Sequence, residues 1–83
     1  MNVAPPISLT AAQRATLQRL SQGRTVTTRL AERARIILLA SAGQSNRDIA
    51  SELGIKPHTA GRWRNRFVEH GLDGIRKDLP RGL

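Results

Sequence analysis

The residues best equipped for chemistry in this 83-residue chain stand close together: Lys56, His58, Thr59, Arg62, Asn65 and Arg66, with Gly61 among them. On a helix, Lys56, His58 and Thr59 would cluster at the N-terminus, and Gly61, Arg62, Asn65 and Arg66 would follow along one side. Several are cations, and the fork of a guanidinium suits phosphate oxygens and guanine edges. Such a set binds an anionic surface rather than making or breaking bonds. The acidic residues Glu52, Asp73 and Asp78 are scattered, without the convergence that an acid–base pair or a metal requires. With no cysteine there is no disulfide and no thiolate site, and the isolated His58 and His70 cannot make a zinc site alone. His58 stands in a position to read a ligand, although an exposed histidine there is equally ordinary; His70 suits a helix C-terminus. The chain is therefore expected to be no enzyme, with no cofactor and no metal.

Composition points the same way. Fourteen Lys and Arg against six Asp and Glu give a formal charge of +8 and a pI near 11.9. All but Lys56 and Lys77 of those cations are Arg. An anionic polymer is the natural partner, nucleic acid before a membrane surface. Hydrophobic residues make up 39%, with one Trp and one Phe, enough for a few packed helices but not for a roomy substrate pocket. The length allows one small domain. The apolar run at 36–40 is far too short to cross a bilayer, and no secretory signal is visible at the N-terminus, so the expected location is cytoplasmic.

The elements that must position these residues can be read in order. Residues 1–8, with Pro5-Pro6, read as a loose arm. Thr10 and Gln13 have capping-box spacing, with Leu9 placed as a hydrophobic staple, so a first helix opens at Thr10, carries Leu17 and Leu20, and stops at Gly23. A connection at 24–27 leads to a second helix from about Thr28 to Gly43. Its stripe of Leu30, Ala34, Ile37, Leu38 and Ser41 is broadened by Ile36 and Leu39, making it the most buried helix. Its N-terminal half carries Arg29, Arg33 and Arg35, read as tracking phosphate or, by preference, as solvating the helix. Ser45 caps a short third helix, with Asp48 favourable near its N-terminus and Ile49, Ala50 and Leu53 buried. Pro57 opens a fourth helix whose inward stripe is Ala60, Trp63 and Phe67, a better reading of the two aromatics than stacking platforms for single strands. Leu72 and Ile75 fold one further turn back onto the core.

The spacing within 49–63 is the strongest signal. Two helices that cross closely need a small residue, supplied by Ala50, and the tight connection needs tolerance of positive φ, supplied by Gly54. Ile55 plugs the turn, while Ala60 and Trp63 seat the second helix. This is the pattern of a helix-turn-helix, whose second helix presents its N-terminal part to base edges in the major groove. Gly61 in mid-helix marks a close approach, either to DNA or to a neighbouring helix.

The chain also resembles a family. Leu9-Thr10, Arg-Ala-Arg-Ile-Ile-Leu-Leu-Ala at 33–40, Gly-Gln-Ser-Asn-Arg-Asp-Ile-Ala at 43–50 and Leu-Gly-Ile at 53–55 carry the likeness. So do Thr59, Trp63-Arg64, Arg66-Phe67, Gly-Leu-Asp-Gly-Ile at 71–75 and Arg-Lys-Asp-Leu-Pro-Arg at 76–81. Over 9–80 this is similar to the N-terminal domain of bacterial insertion-sequence transposases of the mariner-like superfamily, the insertion-sequence six-thirty group. The resemblance implies binding to the terminal inverted repeats of a mobile element. Such transposases carry a metal-dependent acidic triad on a C-terminal ribonuclease-H-like domain, so the 83 residues are expected to be an excised DNA-binding fragment or a stand-alone remnant. One departure stands out: Lys56 occupies the place where that family usually has a Ser or Thr cap, which weakens the cap and favours a phosphate or base contact.

The expected fold is thus all-α, a homeodomain-like helix-turn-helix bundle of four to five short helices, with an arm at 1–8, the domain at 9–75 and a basic tail or linker at 76–83. The expected partner is double-stranded DNA, without membrane or small-molecule substrate, bound through Lys56, His58, Thr59, Gly61, Arg62, Asn65 and Arg66. A homodimer on DNA is compatible with this size of fold, although no dimer seam is evident. A small transcriptional regulator is an alternative, and a basic protein-interaction module a weaker one. Pro80-Arg81-Gly82 resembles, in brief, the arms that enter minor grooves, with a disordered linker as the default.

Overall fold

The computed structural model describes residues 7–22 and 28–76, which form five α-helices and, among those residues, no strand. They are α1 (Ala11–Ser21), α2 (Thr28–Ser41), α3 (Asn46–Leu53), α4 (Pro57–His70) and α5 (Leu72–Arg76). The stop at Gly23, the connection at 24–27, residues 1–6 of the expected arm and the tail from Lys77 onward lie outside the described residues.

The starts of α1 and α3 have visible causes. The Thr10 hydroxyl accepts the Gln13 amide at 3.0 Å while the Thr10 amide donates to Gln13 Oε1 at 3.0 Å, a complete capping box. Ser45 Oγ accepts the Asp48 amide at 3.1 Å, and Asp48 sits in the positively polarised first turn of α3. At the end of α2, the Gly43 amide returns to the Ala40 carbonyl and the Gln44 amide to the Leu39 carbonyl, the paired bonds of a Schellman stop.

α2 is the centre of the bundle, touching all four other helices. Ala31, Ala34, Ile36, Ile37 and Ala40 are buried on it, so the stripe is broadened by Ile36 as expected, whereas Leu39 is half-buried. Leu30, Leu38 and Ser41 are only half-buried, and Ala31 and Ala40 take places in the interior instead. Small side chains admit a neighbouring helix where larger ones would hold it off. The largest fully buried side chains, Leu17, Ile36, Ile37, Ile49 and Ile75, come from all the helices except α4. Trp63 and Phe67 complete the core from α4, as core packing requires.

Two expectations change. Ile7, assigned to a loose arm, is 7% exposed and belongs to the core, because Leu9 and Ile7 carry the apolar surface onward past the Thr10 cap. Arg33 and Arg35, read by preference as solvating their helix, also make contacts within the fold. Arg35 donates from Nε and Nη2 to the Ser21 carbonyl at 3.2 and 2.9 Å, satisfying an open C-terminal carbonyl of α1. Arg33 donates from Nη1 to the Ile75 carbonyl at 3.2 Å and lays its guanidinium over the Trp63 ring. Charged residues thereby tie α1 and α5 to the central helix.

Candidate nucleic-acid interface

Three residues separate α3 from α4. Gly54 has φ 71° and ψ 34°, a left-handed conformation that would strain any β-carbon, and its amide and that of Ile55 both return to the Ala50 carbonyl. Lys56 is extended, and its carbonyl accepts the amides of Thr59 and Ala60 at 3.0 and 3.3 Å. Its side chain makes no cap bond, as expected of a Lys standing where a hydroxyl would cap, and Pro57 follows at a helix start that its fixed φ suits. Ala50 and Ala60, 4% and 0% exposed, are the small residues at the meeting of the two helices. Ile55 and Leu53 are half-buried rather than sealed.

This turn leaves one side of α4 facing outward. Lys56, His58, Arg62 and Asn65 are exposed, and Thr59, Gly61 and Arg66 are half-buried on its flanks. No carboxylate interrupts that face from Lys56 to Arg66; Glu69 is the first on the helix. Fourteen residues give α4 a length of ~21 Å and, with side chains, a diameter of ~10–12 Å, which suits a major groove about 12 Å wide.

Two of the sequence-identified residues have neighbours that explain their identity within the fold. A β-carbon on Gly61 would come within 3.0 Å of Asn46 Nδ2, so a helix neighbour accounts for this glycine without DNA. Arg66 rests its guanidinium 4.7 Å from the Trp63 centroid, giving it a fixed place beside the outward face. Lys56, by contrast, is exposed and its side chain makes no cap bond.

Sequence reasoning missed Arg64. It is 4% exposed, and its Nη1 donates to the Gln44 carbonyl at 2.9 Å and to Asn46 Oδ1 at 3.2 Å. Desolvation pushes its pKa below the usual arginine value, though the group stays protonated at any ordinary pH. Asn46 is thus held between Gly61 and Arg64, and this polar contact fastens the N-terminal end of α3 to α4. A signal was available: Ala60, Arg64 and Phe67 stand at i, i+4 and i+7, one face of a helix, so a charge lay in the inward register.

The family model for the homeodomain-like domain matches residues 27–76, more than half of the chain. The chain belongs to the homeodomain-like helix-turn-helix domains. No curated protein and no solved structure matches it. The matched span opens at α2 and closes at α5, so the homeodomain-like unit is α2 to α5, with α1 packed on α2 as an addition. Within this unit α3 and α4 are the two helices of the motif, and α4 holds the place of the recognition helix.

Among the described residues, no group of three or more His, Asp or Glu is placed to hold a metal ion. No described helix is long and apolar enough to cross a membrane. An open depression is lined, among the described residues, by Ile7, Ser8, Gln13, Phe67, Val68 and Gly71.

Proposed function

We propose that this chain binds duplex DNA sequence-specifically by laying the outward face of α4 in the major groove, as the end-recognition domain of a transposase. The observation that carries the reading is the exposed set Lys56, His58, Arg62 and Asn65 on the second helix of the motif, unbroken by a carboxylate. Each residue type has a use there. Arg62 suits the O6 and N7 acceptors of guanine, Asn65 the N6 and N7 of adenine, and Lys56 a phosphate near the helix N-terminus. The transposase assignment is supported by the resemblance over 9–80 and directs the search to terminal inverted repeats. In this reading the 83 residues bind and do not catalyse, and a two-fold site would be read by a pair of copies on half-sites about one helical turn apart.

Selection of duplexes from a random pool tests the reading. A defined sequence motif should emerge, and in the source genome it should recur at the ends of the element that encodes the chain. Recovery of a promoter sequence instead would turn the assignment to a transcriptional regulator. Arg62→Ala should then weaken the selected duplex by about 1–3 kcal/mol and a scrambled duplex by less, the mark of a base contact. Equal loss on both would remove Arg62 from base reading.

A further inference from the structure

Arg47 stands in the first turn of α3, the end of a helix where the dipole disfavours a cation. Its side chain is exposed, and among the described residues no hydrogen bond or ion pair engages it. Ala50 and Ser51, one turn on, carry no carboxylate, and Asp48, the next residue, points about 100° away round the helix. Arg33, Arg35 and Arg64 each spend a guanidinium on a backbone carbonyl, and Arg66 rests against Trp63. Arg47 does neither. A cation so placed adds nothing to the stability of α3 and is open to an external anion.

The neighbours of α3 fix the side on which Arg47 is offered. At about 100° per residue, Arg47 and Glu52 lie on opposite flanks of the inward stripe of Ile49, Ala50 and Leu53. The Glu52 flank belongs to α2, because Glu52 and Leu53 line one depression with Arg35, Leu38 and Leu39. The Arg47 flank is therefore the one turned away from α2. Towards α4, Asn46 meets Gly61, whose β-carbon would lie 3.0 Å from Asn46 Nδ2, and Asn46 Oδ1 accepts from Arg64 Nη1 at 3.2 Å. Asn65, one turn beyond Gly61 on the same side of α4, is exposed in the outward face. Arg47 thus stands beside the Gly61–Asn65 edge of the face assigned to the groove. A helix in the major groove has a sugar–phosphate strand along each flank, where contacts fix register without reading sequence. We infer that Arg47 holds a phosphodiester of the strand that runs along the α3 side of α4. This adds α3 to the DNA-binding surface and rests on the reading that α4 enters the groove.

The test is the salt dependence of duplex binding by wild type, Arg47→Gln and Arg47→Lys. Arg14→Gln, at an exposed position of α1, controls for net charge. Arg47→Gln should lower the magnitude of the log–log slope by about 0.9, the value for one phosphate, on selected and scrambled duplexes alike. Arg47→Lys should keep the slope, and Arg14→Gln should leave it at the wild-type value. A lowered melting temperature with the slope unchanged marks a structural role and overturns the contact, as does an equal fall in slope for Arg14→Gln. Duplexes carrying one neutral methylphosphonate locate the phosphate. At a single flanking position wild type should lose affinity while Arg47→Gln loses no more. An Arg47→Gln variant as sensitive as wild type at every position overturns the inference. Wild type that binds no duplex at low salt sinks the groove reading itself, whereas wild type that binds while Arg47→Gln keeps the full slope sinks this contact alone.

Discussion

Arg62 and Arg64 stand two residues apart on one helix and have opposite fates. Arg62 points outward and is exposed, whereas Arg64 is buried and spends its guanidinium on the Gln44 carbonyl and Asn46 Oδ1. Removing Arg64 leaves those acceptors without their donor, so Arg64→Ala should destabilise the domain by about 1–3 kcal/mol in urea or thermal melts. Arg62→Ala should leave the melt almost unchanged and affect only DNA binding. A melt indifferent to Arg64→Ala would remove it as the fastening of α3 to α4. Helical spacing made the outward residues legible, since it depends only on a periodicity of 3.6. It did not distinguish an arginine that solvates a helix from one that caps another helix or covers an indole. Arg33, Arg35 and Arg64 find their partners 42, 14 and 20 or fewer residues away, and no local pattern records a pairing made by packing.

The helix boundaries were the most legible part, because their causes are local. Thr10 with Gln13, Ser45 with Asp48, Gly54 and Pro57 act within a few residues of themselves. Lys56 is the exception, since a hydroxyl at that position would cap α4 and a Lys does not, and the proposed function gives it a DNA contact instead. Lys56→Ser should therefore raise stability by about 0.5–1 kcal/mol while weakening duplex binding. Opposite signs in melt and titration are the expected result, and a change of the same sign in both would contradict a DNA role for Lys56. α5 was legible as one further turn through Leu72 and Ile75, but the closeness of its approach was not. A β-carbon on Gly74 would collide with the Arg66 carbonyl oxygen and come within 3.2 Å of His70 Cβ. Backbone cannot yield as a flexible side chain can. Gly74→Ala should displace α5, loosen Ile75 and lower the melting temperature; a melt unchanged by Gly74→Ala would show that α5 can shift freely.

For the whole molecule, the charge of +8 and the helix-turn-helix pattern put nucleic acid ahead of a membrane surface or an acidic protein as the expected partner. The homeodomain-like match over 27–76 agrees with that reading of the fold. What the sequence concealed is the extent of the packed unit. Ile7 joins the core ahead of the first cap, and α1 is bound to α2 through Leu17 and the Arg35–Ser21 contact. Ile7→Ala should accordingly cost about 2 kcal/mol or more, as loss of a buried aliphatic side chain does, whereas a loose arm would tolerate it. The account as a whole stands on α4 being the element that meets DNA. Amide chemical shifts recorded while a selected duplex is titrated into the labelled domain report this directly. The shifts should concentrate at His58, Thr59, Arg62 and Asn65, with those of α1 nearly still. A spectrum in which α1 responds most and the outward face of α4 does not move would contradict it.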